Sequence, residues 1–152
     1  QCVLGNVIHG EARDMYISRV AAINGGMADT SRAFTLNRLC GSGLQAIITA
    51  SQQIQLDDVN LAVAGGAENM SRGGYLMAKH RFGSRMGDDA IIDMMVGVLT
   101  DPFGHGHMGV TAENVAAASG ITRERQDEFS LESHKRAAAA IESGRFKEQI
   151  VD

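Results

Sequence analysis

Within the first 66 residues, short β-prone runs alternate with stretches of helical period, and most of the changes are marked by glycine. That alternation constrains the fold more than any other feature of the chain. Val3 to Ile8 is β-prone and broken by Gly5, and Met15 to Ile23 has helix-compatible apolar spacing that stops at Gly25-Gly26. Ala33-Phe34-Thr35-Leu36 is again strand-like. Leu44, Ile47, Ile48 and Ile54 then mark one face of a second helix, with small Ala50 and Ser51 among them to permit close packing. Leu61-Ala62-Val63-Ala64, ending at Gly65-Gly66, reads as a strand buried on both faces by helices. The order β-α-β-α-β predicts an α/β fold.

From Ser71 to Gly109 the texture changes to scattered methionines and Gly73, Gly74, Gly83, Gly87, Gly97, Gly104, Gly106 and Gly109. This predicts a long excursion from the sheet, with one helix-like piece around Asp88 to Leu99. Thr111 is expected to cap a short helix ending near Gly120. Thr122 is expected to cap a longer one over Arg123 to Ser143, with Gly144 just past its end and Phe129, Ala137, Ala140 and Ile141 as its apolar stripe. An apolar strand is expected to start within Phe146-Lys147-Glu148-Gln149-Ile150-Val151-Asp152.

Fourteen basic and 18 acidic side chains leave a net charge of −4, which argues against nucleic acid or an anionic membrane as a partner bound through overall charge. With 44% hydrophobic and 21% charged residues, the chain is expected to be ordered. No apolar run approaches the roughly 20 residues of a membrane helix, and Gln1-Cys2-Val3-Leu4-Gly5-Asn6 lacks the features of a signal peptide. A cytoplasmic protein is expected. Cys2 and Cys40 match no disulfide framework and no C-x-x-C pattern.

The chemistry gathers at Cys40. A cysteine between a strand and a helix N-terminus faces unpaired backbone N–H groups and the positive end of the helix dipole, which favour the thiolate. Gly41 and Gly43 clear side chains from beside the sulfur, so that a substrate carbonyl can approach, as at other nucleophile turns. The same stretch, Gly41-Ser42-Gly43-Leu44-Gln45-Ala46, also fits G-x-G-x-x-A, with Glu68 as a ribose partner, and so supports a dinucleotide-binding alternative. Against it, Asn37-Arg38-Leu39-Cys40 is polar where the first strand of such a fold runs apolar into its first glycine. His105-Gly106-His107 invites a metal reading with His80 or Asp101, but two histidines on a glycine loop fall short of a zinc ligand set, and no metal is expected.

Three long segments, Asn37 to Ala46, Gly65-Gly66-Ala67-Glu68-Asn69-Met70-Ser71, and His107-Met108-Gly109-Val110-Thr111-Ala112-Glu113-Asn114-Val115-Ala116, resemble successive signatures of thiolases, the acetyl-CoA acetyltransferases. The resemblance runs over essentially the whole chain. Arg13-Asp14-Met15-Tyr16, where many acetoacetyl-specific members have Gln-Asn-Pro-Ala, makes it most similar to bacterial β-ketothiolases that accept longer ketoacyl chains.

The resemblance implies a layered α/β/α fold, incomplete here. Residues 1–71 would be part of the N-terminal α/β domain carrying the nucleophile, and residues 72–152 the loop domain with the substrate-lining segment. It implies reversible Claisen condensation and thiolysis, 3-ketoacyl-CoA plus CoA to acyl-CoA plus acetyl-CoA, through an acyl intermediate on Cys40. It places His107 and Met108 against substrate and Leu99 beside the pantetheine arm, with coenzyme A as substrate and no bound cofactor. It also implies a homo-oligomer, dimer or tetramer; the basic residues Arg72, Lys79, His80, Arg81 and Arg85 read as a solvated loop face or, in a thiolase, as part of a subunit contact. Glu68 and Asn69 read as structural turn residues. The histidine base and second cysteine of thiolases find no counterpart, because Cys2 is at the wrong end and no histidine follows His134. The chain is therefore expected to be a piece of a thiolase, inactive by itself and with unpaired sheet edges.

Overall fold

The computed structural model describes residues 1–151. Three short strands, β1 (Cys2–Gly5), β2 (Ala33–Leu36) and β3 (Val63–Gly66), form a parallel sheet of order β2-β1-β3. Val3 lies opposite Phe34 and Ala64, and Gly5 opposite Leu36 and Gly66. The helices α1 (Ile17–Asn24) and α2 (Ser42–Gln55) make the two crossovers. One connection leads outward from β1 and the next returns across it, so right-handed crossovers place α1 and α2 on opposite faces of the sheet.

Side-chain alternation along β1 agrees with that placement. Val3 is fully buried with Ala46 and Ala50 of α2, and Leu36, Ala62 and Ala64 pack around them. On the other face, the buried Ser18 of α1 accepts from the Leu4 N–H at 3.1 Å and bonds the Thr35 hydroxyl at 3.0 Å.

Two details of how the sheet is covered differ from the sequence expectation. The face that α2 turns to the sheet is Ser42, Ala46 and Ala50, whereas Leu44, Ile47, Ile48 and Ile54 are exposed. The reason is the surface beneath the helix: at its first turn a Cβ on Gly5 would lie 2.6 Å from the Ser42 Cβ, so the backbones approach closely there, and small Ala46 and Ala50 continue that close approach over Val3. The segment around β3 is not buried on both faces. It is an edge strand packed by α2, with Val63 and Leu61 exposed, because α1 covers β1 and β2.

Local polar contacts set the remaining boundaries. Asp14 accepts from the N–H groups of Gly10 at 2.7 Å and Glu11 at 3.0 Å, so residues Ala12–Tyr16 form a 3-10 turn and the α-helical period begins only at Ile17. Beyond β3, the nearly buried Asn6 donates to the Ala67 carbonyl, while the Glu68 carboxylate accepts from Asn6 and from the backbone N–H groups of Val7 and Ile8. This staple ties the chain leaving β1 to the chain leaving β3. The helix expected around Asp88 to Leu99 shrinks to α3 (Met94–Val98), because Asp93 caps it by accepting from Met95 N–H at 2.8 Å. The two residues before α3, β5 (Ile92–Asp93), pair antiparallel with β4 (Tyr75–Leu76).

The chain divides into two compact units, Gln1–Leu99 and the residues from Thr100 onward. The division falls later than the change of texture at residue 71. Arg72 pairs with Glu11 at 3.0 Å, and Gly73 packs on Met95, which keeps the first part of the excursion with the sheet. In the second unit, α4 (Met108–Ala118) begins before Thr111 because His107 caps it through Nδ1, which accepts from Gly109 N–H at 3.0 Å. Helix α5 (Arg123–Glu142) runs as expected, with Thr122 as N-cap and Gly144 at φ +72° past its end. Its stripe does not pack inward: Phe129 and Ile141 are exposed. No helix among the described residues is long and apolar enough to cross a membrane.

Candidate active site

Strand β2 ends at Leu36 and α2 begins at Ser42, so Cys40 sits in the connecting turn, one residue before the helix cap Gly41. Its side chain is exposed. Leu39, immediately before it, has φ +48°, a left-handed conformation that costs a non-glycine residue about 1–2 kcal/mol. Side-chain oxygens on either side hold that conformation. The Asn37 Oδ1 accepts from Leu39 N–H at 2.9 Å, and the Ser42 Oγ donates to the Leu39 carbonyl at 2.6 Å while accepting from Arg38 N–H at 2.9 Å. Backbone bonds from Gly41 N–H to the Arg38 carbonyl and from Ser42 N–H to the Leu39 carbonyl complete the turn. Asn37 and Ser42 escape a search for reactive groups. Their signal is the habit of Asn and Ser of bonding nearby backbone in turns.

The turn therefore presents the Cys40 thiol to solvent just before the first turn of a 14-residue helix. Cys2 makes the contrast. It is buried in β1, and burial pushes its thiol up, only partly offset by the N-terminal ammonium.

The other residues singled out from sequence divide between the units. Half-buried Leu99 directly follows α3 in the unit that carries Cys40. His107 and Met108 belong to the second unit, where they open α4 and Met108 is exposed. The cap fixes more than the ring orientation of His107: an Nδ1 that accepts from Gly109 N–H carries no proton, so the neutral ring holds its proton on Nε2. Neighbouring Asp101 is occupied in shaping the loop, with its carboxylate accepting from the N–H groups of Phe103 and His105 at 3.0 Å each. Among the described residues, no three His, Cys, Asp or Glu side chains are grouped to hold a metal ion. Glu68, the acid of the dinucleotide alternative, has both carboxylate oxygens engaged with Asn6, Val7 and Ile8, so it is a turn staple rather than a ribose ligand.

Comparison with known proteins matches the whole chain, residues 1–152, to the family described as thiolase, N-terminal domain. The chain is 60% identical over 149 residues to the beta-ketothiolase BktB of Cupriavidus necator, covering 98% of this chain and 38% of that protein. Among solved structures it is similar to the Bacillus anthracis acetyl-CoA acetyltransferase, with a TM-score of 0.92 and 45% identity, covering 99% of this chain and 38% of the other. The human mitochondrial 3-ketoacyl-CoA thiolase in complex with CoA superimposes with a TM-score of 0.92 at 35% identity, over 96% of this chain and 37% of that one.

Proposed function

The chain belongs to the thiolase family, and from that premise we propose that the protein carrying it transfers acyl groups between coenzyme A thioesters with Cys40 as the acyl acceptor. In thiolysis the Cys40 thiolate attacks the keto carbon of a 3-ketoacyl-CoA. The bond between that carbon and the α carbon breaks, and its electron pair leaves on acetyl-CoA as an enolate that takes up a proton. The thiol of a second CoA then gives up its proton, attacks the Cys40 thioester and releases acyl-CoA with the thiolate restored. Covalent catalysis splits one difficult carbon–carbon exchange into two steps, and the enolate oxygen needs oriented donors.

The observation that carries this reading is an exposed thiol on a hydrogen-bonded strand-to-helix turn, in a chain similar throughout to thiolases. His107, with its proton on Nε2, supplies a donor toward a substrate oxygen. Met108 and Leu99 supply apolar surface for substrate and the pantetheine arm. The relative solved with CoA supports coenzyme A as the substrate. In the same reading the protein is a cytoplasmic homo-oligomer, with Arg72, Lys79, His80, Arg81 and Arg85 near a subunit contact.

The test is direct. The full-length protein incubated with acetyl-CoA should acquire one acetyl group on the peptide containing Cys40, and Cys40→Ser should abolish it. Absence of the adduct in the unaltered protein, or its persistence in Cys40→Ser, would sink the reading.

A further inference from the structure

We propose that Ser42 and Asn37 are positioning residues for Cys40, clamping Leu39 in its left-handed conformation so that the sulfur is held in one orientation. The inference rests on Cys40 being the acyl acceptor. Leu39 is more than half exposed, so packing does not hold its backbone where a leucine is strained. Both backbone polar groups of Leu39 are instead taken by side chains flanking the nucleophile: Asn37 accepts from its N–H and Ser42 donates to its carbonyl.

Ser42 is itself closely packed. It is the first residue of α2, it is 5% exposed, and it lies on the bare backbone of Gly5. Through Ser42 the rigid joint between helix and sheet thus reaches the residue directly before Cys40. Without the hydroxyl, Arg38 N–H loses its acceptor and Leu39 can relax toward negative φ, and a change of torsion at residue 39 redirects the Cα–Cβ bond of residue 40.

The clamp should matter for a reaction that needs orientation and matter little for one that does not. In the full-length protein, Ser42→Ala should slow acetylation of Cys40 by acetyl-CoA about tenfold. It should leave alkylation by iodoacetamide, a small reagent that approaches from any side, within about twofold, as expected when misorientation rather than thiol chemistry is at fault. Ser42→Thr, which keeps the hydroxyl, should restore most of the acetylation rate. Leu39→Asn in the Ser42→Ala background should restore part of it, because asparagine occupies the left-handed region more readily than leucine. Asn37→Ala removes the other half of the clamp at an exposed position and should show the same split even if Ser42→Ala folds poorly.

Acetylation unchanged in both Ser42→Ala and Asn37→Ala would overturn the proposal, as would equal losses in acetylation and alkylation. Failure of the unaltered protein to be acetylated at all would instead overturn the assignment of Cys40 on which the proposal rests.

Discussion

Gly5 sits where β1 passes beneath the first turn of α2, and the space above it decides how near the nucleophile turn approaches the sheet. A Cβ there would meet the Ser42 Cβ at 2.6 Å and the Ser42 carbonyl carbon at 2.8 Å, and neither can swing aside like the end of a flexible chain. Gly5→Ala is therefore expected to destabilise the protein by about 1–3 kcal/mol through overpacking. It should also slow acetylation of Cys40, because Ser42 must shift. Denaturant titration and the acetylation rate measure the two effects, and an unchanged midpoint with an unchanged rate would contradict the packing described. A second expectation concerns the thiols. Cys40 is exposed whereas Cys2 is buried and its thiolate disfavoured, so limiting iodoacetamide should modify Cys40 in the native protein and Cys2 only after denaturation, as read by peptide mass.

Among the elements, α5 is held at its start by Thr122, whose hydroxyl accepts from Arg125 N–H at 3.4 Å. Its length is supported by Arg123–Asp127 and Glu132–Arg136 pairs at 2.8 Å, worth a few tenths of a kcal/mol each. Thr122→Ala should cost about 0.5–1 kcal/mol, at the low end for a cap because the bond is long, and should show first as faster amide exchange in residues 123–126. Glu124 adds a pH dependence. Its own backbone N–H first, and then the Thr122 hydroxyl, hold its carboxyl below the usual carboxylate range. A depressed folded value contributes stability that is present above the ordinary carboxylate range and lost as pH falls through the folded value. Protection of the first turn of α5 should therefore decline on acidification, and decline less in Glu124→Gln. The elements also show which boundaries can be read from residue types. Thr122, Gly144 and the run Ala33 to Leu36 carry their own local signals, and those elements lie where expected. The starts of α1 and α4 do not, because they depend on an Asp14 carboxylate and a His107 ring used as backbone acceptors, a choice made by the conformation of the neighbouring loop.

At the scale of the molecule, the buried apolar side chains among the described residues are small or few: Cys2, Val3, Ile8, Ala22, Ala46 and Ala50. The large ones on α2, Leu44, Ile47, Ile48 and Ile54, together with Leu61, Val63, Phe129 and Ile141, face outward. The chain spans about 38% of the length of the relatives it matches. A core of this kind leaves apolar surface well beyond what a monomer ordinarily shows. The 152-residue chain by itself is expected to self-associate and to melt without a sharp transition, which sedimentation and calorimetry measure. A monodisperse monomer with a cooperative melt would contradict this.

The β-α-β-α-β order and the Cys40 turn were legible in the residues alone, because hydrophobic period, glycine punctuation and a cysteine between strand and helix are local signals that need no distant partner. The face that α2 turns inward was not. Periodicity marks which residues share a side of a helix, but which side packs depends on the surface beneath: here bare Gly5 backbone lies under Ser42, and Val3 lies against Ala46 and Ala50, while the larger Leu44 and Ile47 stay exposed. Likewise, Asn37 and Ser42 are ordinary turn residues in sequence. Only the tertiary structure, by placing Leu39 at a positive φ and Ser42 against Gly5, joins them to the orientation of Cys40.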